Sequence, residues 1–326
     1  MTLQTTRRFA LAMCGAALAI SIATPVFAQD AYPSKPVTLV VSYAAGGGTD
    51  AIARVFAARL EKALGGRVIV ENRPGAAANI GTEVVANADP DGYTLLIGNQ
   101  GPMTVNPHIF KLKADPGAAL DPISMIADAS LVVVVGPRLE VSTLGELVEA
   151  AKSKELVYGS AGNASASHLG ALLLGQTAGI KVKHVPYKGA GPAVNDLVGG
   201  HIDFMVTTIP SAIGLIESGT LKALAVTGDK RFDSLPDVPT AIEAGVAGYT
   251  ASAWYGLVGP KGMPADVKSK LEAATAETLG DAEFVEKLKK DGAVPSSLGA
   301  QAFSDFMAKE RARWGDVVKT ADIKVE

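Results

Sequence analysis

A glycine-rich join between an apolar strand and an amphipathic helix constrains this chain more than any other feature. Residues 37–41 form a short β-branched run typical of a buried strand, and apolar residues recur at helical spacing from Ile52 to Leu60. Three glycines at 46–48 connect them, and Thr49 or Asp50 is predicted to cap the helix. Because N–H groups and the positive end of the helix dipole converge there, the join predicts an anion-binding loop. A tight turn without a ligand is the alternative.

The same pattern occurs a second time further along the chain. A strand at 157–158 leads into the small-residue run 159–168, which opens another amphipathic helix. Strands alternate with helices around both loops, which predicts an α/β fold that binds ligands beyond the carboxyl ends of parallel strands. If the loops face each other, a ligand between them would meet two or three helix amino termini. The apolar runs 129–135 and 250–257 are the predicted crossing strands of a hinge.

The amino terminus has the pattern of a secretory signal peptide. Arg7 and Arg8 form its positive region, residues 9–22 its apolar region, and 26–28 a small-residue cleavage site. The apolar region is too short and too early for a membrane span. We therefore expect residues 1–28 to be removed after Ala28, through either the general or the twin-arginine export route.

Composition excludes several classes of function. The 298 residues after the predicted cleavage site contain no cysteine, so a hydrophobic core rather than disulfides must hold the mature protein. The whole chain has a formal net charge of −3, and loss of two arginines with the signal makes it more acidic. Because it has no basic stripe, nucleic acid is not an expected partner.

Catalytic and cofactor motifs are missing from the sequence. There is no Gly-x-Ser-x-Gly elbow, no P-loop lysine and no Gly-x-Gly-x-x-Gly fingerprint, and the histidines lack metal-ligand spacing. We expect no catalytic residue, metal or cofactor. The remaining enzymatic alternative is an exported hydrolase that pairs Ser160, Ser165 or Ser167 with His168, His184 or His201. Lys188, at the end of a strand predicted at 182–187, is the cation expected nearest the cleft; an exposed turn lysine explains it equally well.

Short motifs in a fixed order extend over the chain from residue 32 onwards. They are Tyr32–Pro36, Gly46-Gly47-x-x-Asp50, Glu71–Ala76, Asp91–Leu95, Asn106-Pro107, Val185–Gly189, Leu235–Thr240 and Trp254–Leu257. In this order and spacing the chain resembles the TctC, or Bug, family of periplasmic solute-binding proteins of tripartite tricarboxylate transporters.

The resemblance implies a two-domain periplasmic binding protein of the Venus-flytrap type, type II-like, with two hinge-crossing strands. Domain 1 would comprise residues 29–131 plus 254–326, and domain 2 residues 132–253. Such a protein works in the periplasm as a monomer, closes on a small organic carboxylate and delivers it to membrane permease subunits. A ligand-sensing protein of a two-component system is the alternative role on the same fold.

The resemblance also implies a set of binding residues that hold the ligand carboxylate through main-chain N–H groups, small polar side chains and water. In the first domain they are Tyr43, Ala44, Ala45, Gly48, Asn79, Asn99 and Gln100. In the second domain they are Ser160, Gly162, Asn163, Ser165 and His168.

One departure from the family pattern bears on specificity. Many members carry an aspartate after the strand predicted at 201–207, where this chain has Thr207 and Thr208. An aspartate there could pair with the ammonium group of an amino acid, and threonine cannot. We therefore expect a ligand without a cationic group: a di- or tricarboxylate, or an aromatic carboxylate.

Overall fold

Strands and helices alternate through most of the chain in this computed structural model, which describes residues 32–320. The predicted signal peptide and its cleavage site lie outside the described residues. The strands are β1 Val37–Val41, β2 Val68–Asn72, β3 Thr94–Asn99, β4 Leu120–Val135, β5 Leu156–Ser160, β6 Val182–Pro186, β7 Phe204–Thr208, β8 Lys222–Val226, β9 Ser252–Pro260 and β10 Ala293–Pro295.

Helices cover the sheet and follow most of its parallel strands. They are α1 Gly48–Leu64, α2 Asn79–Ala86, α3 Asn106–Ile109, α4 Pro116–Ala119, α5 Leu144–Ser153, α6 Ala166–Ala178, α7 Ala190–Val198, α8 Ile209–Glu217, α9 Ala265–Gly280, α10 Ala282–Lys290 and α11 Ala300–Thr320. A π-helical turn, Gly101–Val105, connects β3 to α3. Within residues 32–320, no helix combines the length and apolar character that a membrane crossing requires.

The sixteen-residue strand β4 belongs to two sheets. The strands run in the order β2-β1-β3-β9-β4-β7-β5-β6, and β8 and β10 also pair with β4. Its first part, up to Ser130, pairs with β9 and β10, whereas Leu131–Val135 pairs with β7 and β8. We call β1, β2, β3, β9, β10 and the start of β4 the first sheet, and the end of β4 with β5 to β8 the second sheet.

The predicted crossing strands differ in how they meet these sheets. The run at 129–135 is the end of β4, which starts earlier than its apolar pattern indicated because Asp121 and Pro122 interrupt that pattern. The run at 250–257 contains most of β9, which pairs with β3 and the first part of β4. The chain therefore re-enters the first sheet where β9 begins.

The helix that follows the first glycine-rich loop is not capped as predicted. Gly47, in an extended conformation, is the N-cap residue, and no side chain bonds at that position. Thr49 and Asp50 lie inside the first turn instead, where Asp50 accepts a hydrogen bond from the N–H of Gly46 at 3.1 Å. The helix begins earlier than expected because Gly48 already adopts helical geometry.

A single buried hydroxyl ties together the two connections between the sheets. The Oγ1 atom of Thr227, after β8, accepts a hydrogen bond from the N–H of Leu131 at 2.9 Å. As a donor, the same hydroxyl lies within hydrogen-bond distance of the carbonyl oxygens of Leu131 and Ala251. Thr227 is completely buried, so it joins the middle of β4 to the residue just before β9.

Replacing this threonine should therefore weaken the whole fold. Thr227→Val keeps the shape but leaves buried backbone groups without a partner, which should lower the free energy of unfolding by about 1–3 kcal/mol. Urea unfolding followed by circular dichroism measures the change. Thr220→Val, at an exposed threonine bonded only to Ser218, is the matched control. Equal stability of both variants would contradict the role of Thr227.

Candidate anion-binding site

A small cavity of about 40 Å³ lies where the two predicted loops meet. The residues that line it come from both sheets. They are Tyr43, Gly47, Gly48, Thr49, Asn99, Gln100, Ala161, Ser165, Ala166, Ser167, Ala190, Thr207, Thr208, Ser211, Ala253 and Tyr255.

Four helices of eight or more residues begin at this cavity. They are α1 after β1, and α6, α7 and α8 after β5, β6 and β7. Each contributes lining residues from its N-cap or first turn: Gly47 and Gly48 for α1, Ser165 and Ala166 for α6, Ala190 for α7, and Thr208 and Ser211 for α8. Because each helix start carries a partial positive charge, the four together favour an anion in the cavity.

No ionisable acid or base with a pKa near neutrality lines the cavity. Among the described residues that line it there is no Asp, Glu, Lys, Arg, His or Cys. Its two tyrosines, Tyr43 and Tyr255, are buried, and burial raises the pKa of both hydroxyls. Both therefore stay protonated and neutral, and the cavity can attract an anion only through dipoles and hydrogen bonds.

The first loop contacts the second sheet directly, through main-chain atoms. The N–H of Ala44 donates to the carbonyl of Lys188 at 2.9 Å, and the N–H of Gly48 donates to Ser211 Oγ at 2.7 Å. A Cβ atom on Gly191 would lie 2.4 Å from the carbonyl oxygen of Ala45. The approach is therefore possible only because position 191 has no side chain.

In the second loop, two of the predicted binding residues hold the loop together. Ser165 caps α6 by accepting from the N–H of His168 and donates to the carbonyl of Gly162 at 2.6 Å. Ser160 is fully buried and bonds to the N–H of Gly162 and to Nε2 of His184, at 3.0 and 2.6 Å. Ser165 lines the cavity, whereas Ser160 lies behind it.

Two stacked imidazole rings bond to residues of this loop. The rings of His168 and His184 lie 4.2 Å apart, and Nδ1 of His168 accepts a hydrogen bond from the N–H of Ala164 at 3.1 Å. Burial lowers the pKa of His168 to about 4, and burial together with the neighbouring His168 lowers that of His184 to about 3. Both rings are therefore neutral at neutral pH, as the bond to Ala164 requires.

The structure brings six of the predicted binding residues to the cavity. They are Tyr43, Gly48, Asn99, Gln100, Ser165 and Thr207. Asn99 is held by Tyr43, whose hydroxyl donates to its side-chain oxygen at 3.4 Å.

The other eight predicted residues do not line the cavity. They are Ala44, Ala45, Asn79, Ser160, Gly162, Asn163, His168 and Lys188. The side-chain oxygen of Asn79 instead accepts a hydrogen bond from Asn106 at 2.7 Å. Lys188 is exposed and contributes its main-chain carbonyl to Ala44, which agrees with the turn-lysine alternative.

Sequence reasoning missed the contributions of α7 and α8. Ala190 follows a glycine at the start of α7, and Ser211 lies just after Pro210 in the first turn of α8. A proline at this position is a recognised signal for a helix start, but it does not show which cavity that start reaches. Tyr255 and Ala253 carry no such signal, because the face of β9 is not readable from its apolar pattern.

The stacked histidines predict a loss of stability in acid. Between about pH 6.5 and 4 the unfolded chain binds protons at these imidazoles that the folded chain does not bind, so the free energy of unfolding must fall as pH falls. Urea unfolding at pH 7, 6 and 5 measures how steeply the free energy of unfolding changes with pH. His184→Gln should make this change less steep, while His201→Gln, at an exposed histidine, should not. An unchanged slope in His184→Gln would contradict the argument.

Comparisons with known proteins agree with this architecture. The family model described as the tripartite tricarboxylate transporter family receptor matches residues 52–323. Protein BugT of Bordetella pertussis is 35% identical over 325 residues, which cover 97% of this chain and 98% of BugT.

Two solved structures of similar proteins contain carboxylates. An R. palustris protein solved with adipate is 34% identical with a TM-score of 0.87, over 90% of this chain and 99% of that one. MatC from Rhodopseudomonas palustris, with bound malate, is 32% identical with a TM-score of 0.82, over 88% of this chain and all of that one. The fold is that of the periplasmic binding proteins, and the chain belongs to the tripartite tricarboxylate transporter receptor family, also called TctC or Bug.

Proposed function

We propose that this protein is exported through its signal peptide, captures a small carboxylate in the periplasm and delivers it, as a monomer and chemically unchanged, to permease subunits of a tripartite tricarboxylate transporter. One observation carries the proposal. Four helix amino termini meet at a cavity whose described lining residues include no charged side chain. The similar proteins solved with adipate and malate support a carboxylate as the anion.

The electrostatics favour an anion without a charged counter-group. Each helix start is equivalent to about half an elementary positive charge, and such dipoles act more strongly in a buried site than in water. A bound ammonium group would find no carboxylate among the residues that line the cavity, since Thr207 occupies the position where an aspartate would pair with it. The proposed ligand is therefore a di- or tricarboxylate or an aromatic acid rather than an amino acid.

We propose that capture and closure are coupled through β4. Residues 29–131 plus 254–326 would move as domain 1 and residues 132–253 as domain 2, with the hinge in the middle of β4 and before β9. A ligand shifts an open–closed equilibrium only by binding the closed state better. The cavity meets this requirement because α1 approaches it from the first sheet and α6, α7 and α8 from the second.

A panel of acids tests the proposed function. Isothermal titration calorimetry should show binding of at least one di-, tri- or aromatic carboxylate, and Thr207→Asp should weaken it at least about tenfold by placing a second negative charge in the cavity. Thr207→Val is the uncharged control for the same side chain. Tight binding of aspartate or glutamate, with none of the acids that lack an ammonium group, would refute the proposal.

Closure has its own test at Gly191. In the proposed open form the two loops separate and alanine is tolerated at this helical position of α7, so Gly191→Ala should keep or raise the melting temperature of the ligand-free protein. We take the loop contact in this structure as that of the closed form, in which the added Cβ would collide with the carbonyl of Ala45, so affinity for the bound acid should fall by about tenfold or more. Gly214→Ala in α8, where no atom lies within 4 Å of the added Cβ, is the control. Equal affinities in the two variants would show that these loops do not approach each other on binding.

A further inference from the structure

The carboxamide of Gln100 is a polar group at the cavity that the fold itself does not use. Its residue is only 4% exposed. The main-chain carbonyl of Gln100 accepts a hydrogen bond from Thr104 Oγ1 at 2.7 Å, but within residues 32–320 the side-chain amide has no hydrogen-bond partner. Because Gln100 lines the cavity and the fold makes no use of its amide, the amide is free to bind a ligand.

Gln100 lies at the boundary between the cavity and a second, larger cleft. This second cleft has a volume of about 740 Å³ and is bounded by α6, α11, β4 and β9. Gln100 and Ala166 are the two residues that line both spaces. Ala166 has only a methyl side chain, so Gln100 has the larger side chain of the two residues at this boundary.

The alternation of side chains along β9 separates the two spaces elsewhere. Ala253 and Tyr255 line the cavity, while Ser252 and Trp254 line the second cleft. Successive side chains of a strand point to opposite faces, so the two spaces lie on opposite faces of this strand. They meet where Gln100 follows the end of β3, the neighbouring strand.

The size of the cavity makes this boundary important for the ligand. A buried water molecule needs roughly 10–15 Å³ of such space, so about 40 Å³ holds about three. That is room for one carboxylate group and the carbon next to it. A longer acid therefore needs space beyond this volume, and the second cleft, which shares Gln100 with the cavity, can provide it.

We propose that Gln100 determines which length of carboxylate this protein accepts. The inference rests on the proposed function: the acid is anchored by one carboxylate at the four helix starts, and the carboxamide of Gln100 donates a hydrogen bond to a short acid. The same side chain obstructs a long acid. Gln100 is thus a specificity-determining residue rather than part of the main-chain anchor.

The second cleft indicates what kind of tail it would admit. Its walls include Leu169, Trp254 and Phe306, which are apolar, and the carboxyl group of Asp128. Asp128 accepts a hydrogen bond from Ser252, and burial, together with the charge of nearby Glu310, raises its pKa to about 6. Arg313, which pairs with Glu310, lines the same cleft, so its charges do not exclude a second carboxylate, and its apolar walls also fit an apolar tail.

A chain-length series tests this assignment. Calorimetry with the wild type and Gln100→Ala would use straight-chain monocarboxylates from acetate to octanoate, phenylacetate, and dicarboxylates from malonate to adipate. The wild type should prefer the short members. Gln100→Ala should bind those about tenfold more weakly, through the loss of one hydrogen bond to a charged group, and should bind hexanoate and phenylacetate more tightly than the wild type does.

Matched variants keep the result interpretable. Gln301→Ala removes an equivalent side chain on exposed α11, where Gln301 bonds only to Asp305, and should leave the length preference unchanged. Gln100→Asn retains the carboxamide on a side chain one methylene shorter, so its length preference should fall between those of the wild type and Gln100→Ala. It also replaces the alanine variant if that variant does not fold.

The outcomes separate the two proposals. If no carboxylate binds the wild type, the proposed function fails. If carboxylates bind but the wild type and both Gln100 variants share one length preference, the proposed function stands and the assignment of Gln100 is overturned. The assignment of Gln100 is established if Gln100→Ala binds short acids more weakly and long acids more tightly than the wild type does, while Gln301→Ala keeps the length preference of the wild type.

Discussion

Main-chain atoms of two loops can approach each other closely only where no side chain stands between them, and the site depends on this constraint. A Cβ atom on Gly48 would lie 2.2 Å from Thr208 Oγ1, and one on Gly189 would lie 2.8 Å from the nitrogen of Ala44. Glycine and alanine therefore occupy both sides of the contact. Because these residues are small, four helix starts reach one small cavity, where their converging dipoles favour an anion without a charged side chain in the lining.

The long strand β4 makes that convergence possible from two sheets. Parallel strands present the helices that follow them at their carboxyl ends, so each sheet supplies helix starts at one edge. Because β4 pairs in both sheets, it holds the two edges opposite each other. The buried hydroxyl of Thr227 joins the point in β4 where the chain leaves the first sheet to the point before β9 where it returns to that sheet.

Much of this arrangement could be predicted from sequence because it depends on local chemistry. The glycines at 46–48 and the small residues at 159–168 identified the first two helix starts, and apolar runs identified most strands. The direction in which each side chain of a strand points could not be predicted. Nothing in the pattern of β9 shows that Tyr255 lines the cavity while Trp254 does not. The bond between Asn79 and Asn106 was equally hidden, since it joins residues 27 positions apart.

Some local conformations contradict the rules from which such predictions are made. Ala76, Ala77 and Ala78 all have positive φ angles, of 47, 55 and 71°, where glycine or asparagine would be expected. The side chain of Asn106 donates to the carbonyl of Ala77 at 2.8 Å and so helps to hold this turn. Tertiary contacts decide the backbone here, and a single sequence carries no sign of them.

A site built from peptide groups also has an unusual relation to mutation. Every residue except proline carries an N–H group, so most substitutions near the helix starts leave the donors themselves in place. Under the proposed function, the affinity for a negative group would therefore survive most substitutions, while the neutral side chains around it could vary. A scaffold with the proposed site could then exchange one acid for another during evolution without passing through a form that binds nothing.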